Sequence, residues 1–343
     1  MAEAGGEDRL LAWLREQPGT ELLGDDTAFL PPGPWRATVD SQIEGVHVPP
    51  GLDPAIVARR LLQVNLSDLA ASGGLAASAA EAGAAYALLA LSAPEGFDHR
   101  AFFTALLDEC AATGVRLAGG DLARSPTLTA TLTLFAPPPS GTRGLHRRGA
   151  RPGDRLWVGG TLGESGAGQR LLAQGARPEG PSGSAIRDEA VELPEAVRRP
   201  PALARAARSA VVRHLRPRAQ LTLGARLAES GATAAMDLSD GLARDLPRLA
   251  AASEVGARVE ADTLPLAEGF DALCAALGED PIDLALAGGE DYVLLFTLPT
   301  GQTPPKRSEC KEIGEITEEP RLVLVREGKE EPWPETGWDH LGP

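Results

Sequence analysis

A mixed α/β chain of two domains is the architecture this sequence predicts, and three observations carry it. Apolar runs alternate with turn-rich segments instead of forming one class of element. At 343 residues the chain exceeds what one core usually serves. Several apolar strands run into an Asp, at the carboxyl ends where α/β proteins gather their ligands.

The elements follow in order. "AIVARRLLQVNLSDLAASGG" predicts a helix that stops at Gly73-Gly74. "AAYALLALS" predicts a buried strand, and "FDHRAFFTALLDECAATG" an amphipathic helix closed by Gly114. "VRLAGGD" reads as a strand ending in its acid. In "TLTATLTLFA", Thr127, Thr129, Thr131 and Thr133 share one face, while Leu128, Ala130, Leu132 and Leu134 share the other, as in a half-buried strand. Pro, Ser and Gly then cluster in "PPPSGTRG", residues 137–144, the expected boundary between an N-terminal domain (1–140) and a C-terminal domain (141–343). "DRLWVGGTLGESGAGQRLLAQG" opens the second half as strand, glycine loop and helix. The polar "ARPEGPSGSAIRDEAVELPEAVRRPP" predicts a loop or a partly disordered insertion. "ATAAMDLS" is a short strand, followed by a helix with Leu242, Leu246 and Leu249 at helical spacing and Ser239 as its N-cap. Pro247 falls inside that helix and should kink it.

Composition narrows the function. The 43% hydrophobic and 24% charged content is that of a globular protein. A net charge of −15 repels nucleic acid and anionic lipid, so neither is an expected partner. "MAEAGGEDRL" has no apolar h-region, and "GLAASAAEAGAAYALLALSAP" is broken by Glu81 and small residues, so neither a signal peptide nor a membrane span is expected. Cys110, Cys274 and Cys310 form no disulfide framework or zinc spacing, which fits a reducing cytoplasm.

Acids recur where strands end: Asp25 and Asp26 in "GDDTA", Asp40 in "ATVDSQIEGVH", Asp68 in "VNLSDLAAS", Asp121 in "LAGGDLARS", Asp237 and Asp240 in "MDLSDGL", and Glu290 and Asp291 in "LAGGEDYVLLF". Each alone is an ordinary turn former or cap. Together, as hard oxygens without Cys/His company, they suit Mg2+. Helix N-termini attract phosphate. Two carboxylates at "DLSD" would repel it unless a cation lies between. There is no G-x-x-x-x-G-K-[ST] and no protein-kinase motif pair. "GGTLGESGAGQ" reads as an ordinary strand-to-helix loop, and "GESGA" lacks the spacing of a nucleophile elbow. "RGLHRRGARPGDR" is a local basic run from which one Arg could reach a polyphosphate, whereas His214 and Arg216 read as structural.

With these motifs assembled, the chain resembles the thiamine-monophosphate kinases, of the superfamily of aminoimidazole-ribonucleotide synthetase and selenophosphate synthetase. The resemblance runs from "GDDTA" to the terminal "GWDHLGP". It rests on "VNLSDLAA", "GGD", "MDLSDGL", "GGEDYVLLFT" and "GWDH". It implies ATP-dependent phosphorylation of thiamine monophosphate to thiamine diphosphate with several Mg2+ ions. Matching motif by motif, it implies metal ligands at Asp26, Thr38, Asp40, Asp68, Asp121, Asp237 and Asp240. ATP contacts are implied at Gly120, Asp121, Arg147 and Ser239, with Asp240 and Arg147 in catalytic roles, and substrate contacts at His47, Glu290 and Trp338. The implied fold is an N-terminal α/β domain whose sheet pairs in a homodimer, plus a C-terminal α/β domain completing the active site.

This chain departs from its relatives in "TVD", where Val39 could offer a metal only its backbone carbonyl, and in "GGDLARSP" after Asp121. The chemistry suits the residues. A phosphate ester has a second pKa near 6 and is mostly anionic at pH 7, so it needs no general base. Two unit charges ~4 Å apart repel by about 4 kcal/mol at an effective dielectric of ~20, so what the reaction needs is neutralisation. Rival expectations are another ATP-using synthetase of the superfamily and a non-catalytic nucleotide or Mg2+ sensor. No Cys precedes Cys110, unlike the reactive N-terminal residue selenophosphate synthetases often use.

Overall fold

The computed structural model describes residues 10, 13–20, 35–75, 85–137, 144–178 and 191–337. These fall into two compact units. One takes the described residues up to 69 together with 75–137, and the other takes 70–74 and those from 144 onward.

The first unit is a four-stranded sheet with helices on one face. β1 (Arg36–Ile43), α1 (Pro54–Ala71), β2 (Ala85–Ala93), α2 (His99–Thr113), β3 (Val115–Arg124) and β4 (Thr129–Ala136) follow in sequence. The strands lie in the order β1-β4-β2-β3, and only the β2–β3 pair, joined through α2, is parallel. α1 ends before the glycines expected to stop it, Gly73 (φ 109°) and Gly74 (φ 71°). α2 begins on the Asp98 carboxylate, which accepts from Ala101 N at 2.9 Å, and closes on left-handed Gly114. β4 alternates as its sequence demands: Ala130, Leu132, Leu134 and Ala136 are buried, and the threonines between them are half-buried. β3, however, does not stop at Asp121. It continues to Arg124 because its pairing with β2 runs on to Ala93.

β1 inverts the usual alternation. Its polar residues face α1: Thr38 Oγ1 donates to Asp68 Oδ2, the backbone N of Asp40 donates to Asn65 Oδ1 at 3.1 Å, and Arg60 Nε donates to Gln42 Oε1 at 2.8 Å. Its apolar Val39 points away from the helices and is 59% exposed, in one row with Thr133 and the 38%-exposed Leu88. The helix-covered face of this strand is therefore a polar ladder, and the open face is apolar.

The second unit is built on a seven-stranded mixed sheet. Its elements are β5 (Arg155–Gly159), α3 (Glu164–Ala173), the two-residue pair β6 (Arg177–Pro178) and β7 (Val191–Glu192), α4 (Pro201–Leu215) and α5 (Leu221–Ser230). β8 (Ala234–Asp237), α6 (Leu242–Ser253), β9 (Gly256–Glu260), α7 (Phe270–Leu277) and α8 (Pro281–Ala287) follow, then β10 (Leu294–Leu298), β11 (Cys310–Thr317), β12 (Leu322–Arg326) and β13 (Lys329–Pro332). The order is β13-β12-β9-β11-β5-β10-β8. Leu156, Val158, Met236, Leu242, Leu246, Leu249, Val259 and Leu295 belong to one buried core; Trp157, Leu223, Leu227, Leu294 and Phe296 belong to another. Of the polar insertion, residues 179–190 lie outside those described.

Ser239 is not the N-cap of α6. That place is taken by Gly241 (φ 99°), and the backbone N–H of Asp240 is met by the Asp245 carboxylate at 3.0 Å. Pro247 does lie inside the helix, and its missing N–H is replaced from outside. The carbonyl four residues back, Ala243, accepts from the indole N–H of Trp333 at 2.7 Å. Among the described residues no helix is long and apolar enough to cross a membrane.

Candidate functional site

In the first unit Thr38, Asp40 and Asp68 come together where β1 lies on α1. Side chains two apart on a strand share a face, and α1 presents Asn65 and Asp68 to them, one helical turn apart. The Thr38–Asp68 hydrogen bond fixes one carboxylate and the Asn65 bond fixes the Asp40 backbone. Asp121 stands on the other face of the sheet. It is in register with Ala90, Thr131 and Ser41, whereas Thr38 and Asp40 pair with Leu134 and Leu132. Gly120 passes so close to β2 that a Cβ would come within 2.0 Å of the Leu89 carbonyl oxygen, so only glycine fits there. His47 lies in the tight turn after β1, its Nδ1 accepting from Ile43 N at 3.2 Å.

In the second unit three loops converge at one end of the sheet. Gly159, Leu294 and Asp237 sit side by side on β5, β10 and β8, and β5 and β8 both end there. The loop after β8 and the loop before β10 are stitched together by backbone hydrogen bonds: Leu238 N to Val293 O at 2.9 Å, Tyr292 N to Leu238 O at 2.9 Å, and Glu290 N to Ser239 O at 2.6 Å. This joins "DLSDG" to "GGEDY", with Asp237 and Asp240 nearly buried at 5% and 8% exposure. Glu290 and Tyr292 adopt left-handed φ values of 56° and 49° to make that junction.

Sequence reasoning missed the partners that hold these acids. Arg248 pairs with Asp240 at 2.7 Å and with the fully buried Asp245 at 2.7 Å. Burial first, and then the nearby Asp240, push Asp245 up to about 6. The three-residue spacing from Asp245 to Arg248 on a helix was the available signal. Asp291, next to Glu290, has a structural task. Its carboxylate accepts from Gly163 N at 2.8 Å and Ser165 N at 3.3 Å, capping α3 from a distant loop because Gly163 has no side chain to do so. Burial drives it up to about 7 despite those bonds and Arg213. Arg147 is exposed, and its carbonyl accepts from Ser253 Oγ at 3.0 Å. Asp26 and Trp338 lie outside the described residues.

The donors fit Mg2+ in type. They are hard oxygens, paired within each unit, and Mg2+ commonly takes one or two carboxylates and fills its remaining positions with water and phosphate. Among the described residues no three His, Cys, Asp or Glu side chains gather into an all-protein metal site.

Comparison with known proteins gives the family. Residues 24–136 match the family "AIR synthase related protein, N-terminal domain", and residues 151–327 match "AIR synthase related protein, C-terminal domain". The two sheets and their acid-bearing loops thus define an AIR-synthase-related protein. Within that class, the thiamine-monophosphate kinase of Aquifex aeolicus (strain VF5) is 31% identical over 341 residues, covering 98% of each chain. That of Escherichia coli O157:H7 is 37% identical over 284 residues, 81% of this chain and 76% of the relative. The solved structure described as AaThiL complexed with AMPPCP and TMP superposes with a TM-score of 0.73 at 29% identity, over 99% of this chain and 100% of that one. The chain belongs to the thiamine-monophosphate kinase family.

Proposed function

We propose that this enzyme transfers the terminal phosphoryl group of ATP to the phosphate of thiamine monophosphate, giving thiamine diphosphate and ADP. The observation that carries the proposal is the junction of "DLSDG" with "GGEDY", which puts Asp237, Ser239, Asp240 and Glu290 on adjoining loops at the end of one sheet. Family relationship supports the substrate pair, since the relatives are thiamine-monophosphate kinases and the solved relative was complexed with AMPPCP and TMP.

An acceptor phosphate oxygen attacks the γ-phosphorus in line as the β,γ-bridging P–O bond breaks, and transfer is direct. The attacking group is already an anion, so no side chain need take a proton. Asp26, Thr38, Asp40, Asp68, Asp121, Asp237 and Asp240, with the Val39 carbonyl, are the groups that would hold several Mg2+ ions. Bound Mg2+ supplies neutralisation of the two mutually repelling polyanions. Gly120 and Ser239 contact ATP, Arg147 contributes a permanent cation, and His47, Glu290 and Trp338 hold the thiamine half. The N-terminal domain, 1–140, carries metal and ATP contacts and pairs in a homodimer, and the C-terminal domain, 141–343, completes the site. The uncovered outer face of the first sheet, where Val39 and Leu88 stand exposed in one row with Thr133, supports pairing through that face. A cytoplasmic enzyme fits the three scattered cysteines, all free.

The test is product analysis after incubation with ATP, Mg2+ and thiamine monophosphate. Thiamine diphosphate is the expected product. ADP without it would favour another synthetase of the class, and binding without turnover a sensor; either outcome would overturn the proposal.

A further inference from the structure

Two glycines in "GESGAG" do more than turn the chain. A Cβ on Gly168 would lie 2.1 Å from the Ala210 carbonyl oxygen and 2.9 Å from the Cβ of His214. One on Gly166 would lie 2.7 Å from the Cα of Gly288. α4 and the loop before β10 therefore both rest directly on the first turns of α3. That close approach brings the buried side chains of Ser165 and His214 against the half-buried Glu290. The ring of His214 is 2% exposed, with Nδ1 3.1 Å from Ser165 Oγ and 3.4 Å from Glu290 Oε2.

Nδ1 lies at ion-pair distance from the Glu290 carboxylate, which only accepts, so we assign the ring proton to Nδ1; Ser165 Oγ then accepts from the same N–H. Because both partners meet one ring nitrogen, the imidazole cannot pass a proton from one to the other. The constellation is a brace, not a relay. Its surroundings are fixed as well. Ser165 is pinned through its backbone N to Asp291, Arg213 donates to the Asp291 carbonyl at 3.3 Å, and Glu290 is tied by its own N–H to Ser239.

We propose that His214, backed by Ser165, is a positioning residue: it sets the direction of the Glu290 carboxylate and so the affinity for the thiamine half of the substrate. This rests on Glu290 being a substrate contact. Thiamine carries a fixed thiazolium cation, and a carboxylate aimed at it must resist both rotation and solvation. A buried N–H donor on one oxygen achieves that.

A double-mutant cycle tests it, read as KM for thiamine monophosphate and ATP and as calorimetric binding of thiamine monophosphate alone. His214→Leu should raise the thiamine monophosphate KM and Kd about tenfold, the loss of one hydrogen bond to a charged group, and leave the ATP KM within about twofold. His214→Asn returns an N–H near the Nδ1 position and should restore most of the loss. In a Glu290→Gln background, His214→Leu should add little further. An equal penalty in both backgrounds would make His214 merely structural and overturn the proposal, as would an unchanged KM in His214→Leu when Glu290→Gln raises it. An unchanged KM in Glu290→Gln itself would instead remove Glu290 as a contact, and His214 with it. Should His214→Leu fail to fold, the same cycle with Ser165→Ala decides, with a smaller shift of about threefold expected.

Discussion

The exchange of donors at Ala243 should couple Trp333 to Pro247 energetically. Pro247 deprives the Ala243 carbonyl of its helical N–H, and Trp333, 90 residues away in sequence, supplies the substitute at 2.7 Å. Ala243 is 3% exposed, so water does not replace a lost donor cheaply. Trp333→Phe keeps much of the ring's packing against the core but removes the N–H, and stripping a buried carbonyl of its partner costs about 1–3 kcal/mol. Pro247→Ala restores the backbone N–H that an uninterrupted helix would use. The penalty for Trp333→Phe should therefore fall from about 1–2 kcal/mol in the native background to under about 0.5 in Pro247→Ala, a coupling of roughly 1 kcal/mol. Urea unfolding followed by far-ultraviolet circular dichroism reads this as shifts in midpoint at constant m value. Equal penalties in both backgrounds would show that Trp333 contributes apolar contact alone.

Three further outcomes are expected. Asp240→Asn should fold normally and lose about 10²–10³ in turnover, as expected for removal of a charged group that acts at the transferring phosphate. Near-native rates at saturating Mg2+ would remove Asp240 from the chemistry. Val39→Glu with Leu88→Glu should leave a monomer by sedimentation velocity, and a dimer that survives both changes would move the interface off this face. Asp291 sits at about 7 when folded, above its unfolded value of about 4. Its contribution to stability is therefore fully present below about pH 4 and is lost as pH rises towards 7, by at most about 1.4 kcal/mol per pH unit. Asp291→Asn lacks that titration, so stability curves of the native enzyme and the variant should diverge between pH 4 and 7 and run parallel above it. Curves parallel throughout would refute the assignment.

The parts of this fold that depend on local periodicity were legible in the sequence. The Thr/Leu alternation of β4 and the Gly114 stop of α2 follow from side-chain geometry within one element. The face of Asp121 was not. The β2–β3 register shifts between Ala87 and Leu88, so Leu117 pairs with Ala87 but Gly119 pairs with Leu88. Without that one-residue bulge Asp121 would fall in the row of Leu91, on the helix-covered face; with it the side chain points to the open face. β1 was legible in principle, since "RATVDSQI" alternates cleanly. Its polar side faces the helix only because α1 offers Arg60, Asn65 and Asp68 at matching intervals, a pairing of distant segments. The junction of "DLSDG" with "GGEDY" likewise comes from β10 lying between β5 and β8, which neither motif announces.

The two candidate acid sites share a design that bears on how an enzyme keeps carboxylates ready for cations. An unpartnered acid on a loop rotates freely and must lose that freedom when a cation arrives. Here Asp68 is held by Thr38, whose hydroxyl takes one oxygen, and Asp240 is held by Arg248, whose guanidinium also takes one oxygen. In both cases a second oxygen remains for a cation, while a two-oxygen grip on a metal is disfavoured. That geometry suits a small ion that prefers separate single-oxygen ligands, water and phosphate over a cage of bidentate carboxylates. Arg248 does more than orient. By bridging Asp240, just before α6, and Asp245, in its first turns, it offsets the repulsion between two nearly buried carboxylates. Arg248→Met should therefore weaken Mg2+ binding measured without ATP and also lower stability, and Arg248→Lys should rescue the stability more fully than the binding, because a lone ammonium cannot present two fixed N–H groups to two acids at once.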